Sequence, residues 1–247
     1  MRRPSARRPS STCSVQHLGE NFGKIGGWIA LDTREFRGLG GAGDFVRYHD
    51  CLVMAEGLQV SGLFKGKGGL LNDASSQNAL KSSVQRAVRG AVMDQMPALE
   101  NVLDEIWPKK AAVTMAKCEG HVNIYLVDGV PLFFQRRDGP LFPTLRLLMN
   151  YPAMLPRYQV DRGAIKFVLK GSNIMAPGLT KEGETCMADG VDAERAVAVF
   201  AFGKEHPIAV GLTKQSAVET RTHNKGIAVD NVHFLNDGLW KTTTAIR

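Results

Sequence analysis

Apolar positions show no sustained period before about residue 72 and a clear one afterwards. Leu80, Val84, Ala87, Val88, Ala91 and Val92 recur at the interval of one helix face, with Asp73, Ser75 or Ser76 available as N-cap. Pro97 ends that helix, and Leu99, Val102, Leu103 and Ile106 predict a second short one that stops before Pro108. A basic loop, Pro108, Lys109 and Lys110, follows. The period then changes to two. Val113 and Met115 alternate with polar neighbours, Val122, Ile124 and Leu126 alternate with Asn123 and Tyr125, and Asp128-Gly129 makes a tight turn into residues 131–135. The spacing predicts a small antiparallel meander. Residues 139–143 read as a rigid loop, Thr144 caps a helix carrying Leu145, Leu147 and Leu148, and Pro152 and Pro156 mark a boundary.

Beyond that boundary, Asp161 as N-cap and Gly171 as the closing glycine delimit a short helix over 163–170. A strand over 174–176 is stopped by Pro177-Gly178. Three further apolar runs, 196–202, 208–212 and 227–234, are separated by polar or glycine-containing turns. Short strands at such spacing predict a small closed or partly open barrel. The expected organisation is α+β, with an extension over 1–70, a first domain over 71–155 and a second over 156–247.

Composition changes the picture mainly at the start of the chain. The first fourteen residues hold four arginines, four serines and no acid, which predicts disorder and also has the make-up of an organellar transit peptide, although no amphipathic stripe follows. Residues 19–70 are dense in glycine and read as a linker or extension, with Met54 available as an internal start. Gly38, Gly40 and Gly43 satisfy a dinucleotide fingerprint in letters only, because no strand precedes them, and FKGKGG at 64–69 lacks the spacing of a phosphate loop. The formal net charge is +7, yet ten of the 31 Lys and Arg and only six of the 24 Asp and Glu lie in the first 70 residues, so the body is mildly basic. The balance favours an anionic partner. No apolar run reaches the roughly 18 residues of a membrane helix, which predicts a soluble protein with no membrane partner. Cys13, Cys51, Cys118 and Cys186 are too dispersed for a thiolate cage and read as free thiols in a reducing compartment, the cytoplasm.

Candidate chemistry is sparse. The six histidines show no HxxxH or HExxH spacing and there is no GxSxG elbow, so neither a metal, a cofactor nor a catalytic residue is expected. Lys109-Lys110 and Arg136-Arg137 are loop cations near Trp107, Phe133 and Phe134. Phosphate contact is one reading and solvated loop charge the other. Phe133 and Phe134 fit a strand buried on both faces. Lys166 and Lys170 are four apart on one helix face, and Gly171 beside them lets backbone approach a phosphate or sugar; the alternative is a solvated face with a glycine cap.

Three blocks, GPLFPTLRLLMNYP, VDRGAIKFVLKGSNIMAPGLT and NKGIAVDNVHFLNDGLW, with IWPKK and VDGVPLFF before them, closely resemble the malignant T-cell-amplified sequence family, eukaryotic translation factors related to the amino-terminal part of ligatin. The resemblance covers about residues 77–241. It implies an α/β amino-terminal domain followed by a PUA β pseudo-barrel. It also implies a non-catalytic factor that binds the small ribosomal subunit and its RNA with a partner resembling density-regulated protein, and engages the acceptor end of a tRNA. The implied roles are release of deacylated tRNA after termination, reinitiation and initiator tRNA recruitment. Carried onto this chain, the RNA-binding positions are Lys166, Lys170, Gly171, Ser172, Pro177, Gly178, Lys225 and Gly226, with Lys109 and Lys110 as ribosomal RNA candidates. The family usually has alanine where Ser172 stands. An RNA-modification enzyme, or its PUA-containing accessory subunit, is the alternative from another class, and a protein-interaction scaffold is a third.

Overall fold

A computed structural model describes Phe64 and residues 76–242. The expectations for the arginine-rich start and for the glycine fingerprint fall outside the described residues, as do Asp73 and Ser75. Among the described residues no helix is long and apolar enough to cross a membrane.

Eleven strands are described, in two sheets. The first sheet runs β1 (Ser76–Ala79), β2 (Val113–Cys118), β3 (Val122–Val127), β4 (Val130–Arg136) and β5 (Leu141–Pro143), each antiparallel to the next. Helix α1 (Ser82–Gln95) and the single turn α2 (Leu103–Ile106) lie between β1 and β2. The meander forms because side chains alternate across it, and its faces are both covered. Phe133 stacks on Trp107 beside α2 at 6.1 Å between ring centroids, while Phe134, one residue on, faces the other way onto Phe142 at 5.3 Å. Both phenylalanines are fully buried, as a strand covered on two sides requires.

After α3 (Leu145–Asn150), whose Thr144 hydroxyl accepts the Leu147 N–H at 3.4 Å, the chain enters the second sheet. It comprises β6 (Arg157–Val160), β7 (Ile174–Met175), β8 (Cys186–Met187), β9 (Ala196–Ala201), β10 (Pro207–Thr213) and β11 (Ile227–Phe234). Their spatial order is β7-β11-β10-β9-β6-β8, with only β6 and β9 parallel, so the sheet curls into a pseudo-barrel with β7 and β8 at its open edges. Helices α4 (Arg162–Val168), α5 (Ala217–His223) and α6 (Gly238–Lys241) decorate it.

The two sheets share one continuous apolar core. Phe134 of the first meets His233 of the second edge to face at 5.8 Å, α3 packs on β10, and the Arg146 guanidinium lies 4.3 Å from the Trp240 ring while donating to the Trp240 carbonyl at 2.9 Å.

Several expectations need correction. Ser76 is no N-cap: it pairs with Lys117 in β1, and α1 starts after Lys81 with no side-chain cap. The loop expected over 139–143 contains β5, which finds backbone partners along β4. Asp237 caps α6 and accepts from His233 Nδ1 at 2.7 Å, Phe234 N at 3.1 Å and Trp240 N at 2.8 Å. Phe64, placed by sequence in the extension over 1–70, is 2% exposed. It sits edge-on to Phe134 at 5.3 Å and to His233 at 5.8 Å, and its carbonyl accepts the Gly238 N–H at 2.9 Å.

Candidate nucleic-acid interface

Asp161 accepts the Ala164 N–H at 2.9 Å and so starts α4 where its side-chain geometry predicts. The helix closes at Gly171, whose φ of 82° is a left-handed conformation that glycine adopts without strain. Ser172 N then donates to Phe167 O at 3.0 Å and turns the chain into β7. Met175 of β7 pairs with Ile227 of β11, and Ala176 N donates to Gly226 O at 3.0 Å. Pro177 and Gly178 continue in a tight turn that returns to the start of α4: Asp161 N donates to Gly178 O at 3.1 Å, and a Cβ at Gly178 would lie 3.3 Å from that of Ala164. The structure therefore brings Lys166, Lys170, Gly171, Ser172, Pro177, Gly178, Lys225 and Gly226 into one band of α4, β7 and the start of β11. Lys166, Lys170 and Lys225 are exposed. Lys109 and Lys110 are exposed too, but they belong to the turn between α2 and β2 in the first sheet's layer, where Lys109 lies 3.8 Å from Asp104.

The acids nearest the band are engaged. Glu184 takes Lys181 Nζ at 2.9 Å and the Arg162 N–H at 3.2 Å, which hold its carboxyl below the usual carboxylate range. Asp161 is occupied as cap and lies 3.9 Å from Lys181 Nζ.

Three members of the band escape a reading based on charge. Phe167, Met175 and Ile227 are 51%, 49% and 41% exposed, half of the large apolar side chains left in solvent among the described residues. Lys166 Nζ lies 5.0 Å from the Phe167 ring centroid. The signal for Phe167 is in the sequence: Ala164, Ile165, Val168 and Leu169 make the inward stripe of α4, and Phe167 falls off it. Met175 and Ile227 carry no such mark, because an apolar residue in a strand reads as core. The arrangement offers cations for phosphate and exposed apolar surface for unstacked bases. No group of three or more His, Cys, Asp or Glu able to hold a metal occurs among the described residues.

Comparison with known proteins agrees with this architecture. The family described as a Pre-PUA-like domain matches residues 71–152, and the PUA domain family matches residues 156–235. The chain is 46% identical over 180 residues to malignant T-cell-amplified sequence 1 of Rattus norvegicus, across 73% of this chain and 98% of that one. It is 45% identical over 170 residues to translation machinery-associated protein 20 of Schizosaccharomyces pombe, across 69% of this chain and 93% of that one. Among solved structures, a hypothetical protein from Pyrococcus horikoshii shares the fold with a TM-score of 0.57 at 24% identity, over 68% of this chain and all of that one. A Pre-PUA domain and a PUA domain in that order, with relatives matched over nearly their whole length, show that the chain belongs to the malignant T-cell-amplified sequence family.

Proposed function

We propose that this protein is a cytoplasmic, non-catalytic RNA-binding translation factor that acts on the small ribosomal subunit. One observation carries the reading: the band in which Lys166, Lys170 and Lys225 border the exposed Phe167, Met175 and Ile227. Lysines alone would serve any polyanion. The added apolar surface suits unpaired nucleotides, whose bases present a face that a duplex hides. In this reading the band takes the single-stranded acceptor end of a tRNA, and Lys109 and Lys110 meet ribosomal RNA. A partner resembling density-regulated protein completes the complex, which releases deacylated tRNA after termination and supports reinitiation and initiator tRNA recruitment. The name of the Schizosaccharomyces pombe relative, translation machinery-associated protein 20, at 45% identity, supports the setting.

Co-sedimentation of the full chain with purified small subunits across a salt series, with and without partner and P-site tRNA, tests it. Association should weaken with salt and strengthen with tRNA. Replacing both Lys166 and Lys170 by alanine should flatten the log–log salt dependence by about 1.5, roughly 0.7–0.9 per lost phosphate contact. Charge reversal at both should abolish the tRNA effect. Unchanged binding in these variants removes the lysines from the site, and turnover of a nucleoside in tRNA by the purified chain replaces the reading with an RNA-modification enzyme.

A further inference from the structure

The band's two lysine–glycine turns are built alike. Gly171 and Gly226 follow a lysine and have φ of 82° and 80°, so the chain reverses immediately after each cation. Each turn is also tied from inside by a side-chain amide. Asn231, in β11 and only 7% exposed, donates from Nδ2 to Val168 O at 2.9 Å and to Ser172 O at 3.2 Å, the carbonyls on either side of Lys170-Gly171. Asn173 answers from the same loop, its Oδ1 accepting the Asn231 N–H at 3.0 Å. Gln215, between β10 and α5, donates from Nε2 to Lys225 O at 3.0 Å, and a Cβ at Gly226 would sit 3.3 Å from that nitrogen. Asn231 Oδ1 and Gln215 Oε1 are buried and find no donor among the described residues. Leaving a buried acceptor unmade costs free energy, so in both amides the donor side is what the fold retains.

From this repeated arrangement we infer that Asn231 and Gln215 are positioning residues for RNA, Asn231 setting the Lys170-Gly171 turn and Gln215 the Lys225-Gly226 turn. The inference rests on the RNA-binding reading of the band. Neither amide touches RNA; each fixes where a lysine and its glycine present charge and backbone. Fixing a contact group before binding removes the ordering cost that a loose loop incurs on association.

Fluorescence anisotropy of the full chain with a labelled RNA hairpin bearing a single-stranded overhang provides the test. Asn231→Leu and Gln215→Met keep the shape and lose the donors. Each should weaken binding by about 3- to 10-fold, in the range of coupling found for residues in contact. The pairing of effects is decisive. Asn231→Leu should add nothing to Lys170→Ala yet keep its full factor on Lys225→Ala, and Gln215→Met should show the reverse. Equal factors in every background, which a general loss of structure would give, overturn the inference, as does unchanged binding in both variants. If Lys170→Ala and Lys225→Ala themselves leave affinity unchanged, the RNA reading of the band falls and the positioning roles fall with it. Should Asn231→Leu fail to fold, exposed Asn173→Ala removes only the reciprocal bond and must couple to Lys170→Ala in the same way, or the role of Asn231 is refuted.

Discussion

Tyr158 shows how a single buried hydroxyl shapes stability. It lies on β6 opposite Met187 and Val199, is 1% exposed, and its Oη has no partner among the described residues. Burial pushes its pKa up to about 12 from 10.0, with the Arg221 charge pulling weakly the other way. The sign follows from proton counts. Between pH 10 and 12 the unfolded chain has lost the phenolic proton while the folded chain keeps it, so stability is intact below pH 10 and falls as pH rises. At about 1.4 kcal/mol per unit, the loss across that window is about 2–3 kcal/mol. Tyr158→Phe should therefore leave stability at pH 7 within about 1 kcal/mol, since the hydroxyl makes no bond to lose. It should also make the alkaline decline shallower, as read from urea midpoints at pH 7 and pH 11. Some decline will remain, because burial raises Tyr125 as well, and burial followed by the Glu105 charge raises Tyr151. A variant with the same alkaline slope as the parent would show that Tyr158 is not the group responsible.

At the scale of elements, Phe64 is a strap from the amino-terminal side of the chain to the junction of the sheets. Two edge-to-face ring contacts and the bond from Gly238 N make it part of both layers. Phe64→Ala should cost about 3–5 kcal/mol, the usual loss for a buried phenylalanine, measured as the shift in denaturant midpoint at constant slope. A chain begun at residue 71 should lose as much, whereas one begun at residue 58 should not. Equal stability of the two truncations would mean that the ring's contacts contribute nothing in solution. No sequence signal marks Phe64, because Leu63 and Phe64 sit between glycines with no repeating apolar spacing around them, and periodicity needs such a repeat. The same physics separates what was legible elsewhere. The meander, α3, α4 and the three long strands of the barrel announce themselves by period and caps. Strands β1, β5, β6 and β8, of two to four residues each, are too short to show a period and exist because neighbouring strands pair with them, whereas the equally short β7 is marked by the Pro177-Gly178 stop. Helix α5 turns only Ala217 and Thr220 inward, too few for a stripe, although its Ser216–Glu219 capping box was there to be read. Within the candidate band, the lysines and glycines stand out in the sequence through spacing and resemblance. The apolar trio does not, because exposure of a strand residue depends on which edge is left open.

For the whole molecule, the continuity of the core decides how the protein comes apart. Two sheets belonging to two domain families would unfold separately if their contact were a polar surface like that between many domains. Here one apolar cluster runs from Phe64 through Phe134 and Phe142 to Val160, Phe234 and Trp240, and Arg146 of the first layer is fixed to Trp240 of the second by a hydrogen bond and a ring contact. Breaking either sheet exposes surface of the other, which predicts a single cooperative transition. The tryptophans report it by position, since Trp107 packs in the first layer and Trp240 in the second. Variants that keep only Trp107 or only Trp240 should give coincident fluorescence transitions in denaturant, matching the loss of far-ultraviolet circular dichroism. Arg146→Ala removes the hydrogen bond and the cation–π contact to Trp240, together about 1–3 kcal/mol, and should lower the melting midpoint by about 2–10 °C or more with the transition still single. Two resolved transitions in the parent chain would mean that the layers are independent. The proposed contact patches at Lys109-Lys110 and at Lys166, Lys170 and Lys225 would then be joined only by a flexible hinge. A single transition instead means that the two patches are held at a fixed separation, so in the proposed reading RNA that engages one meets the other already in place.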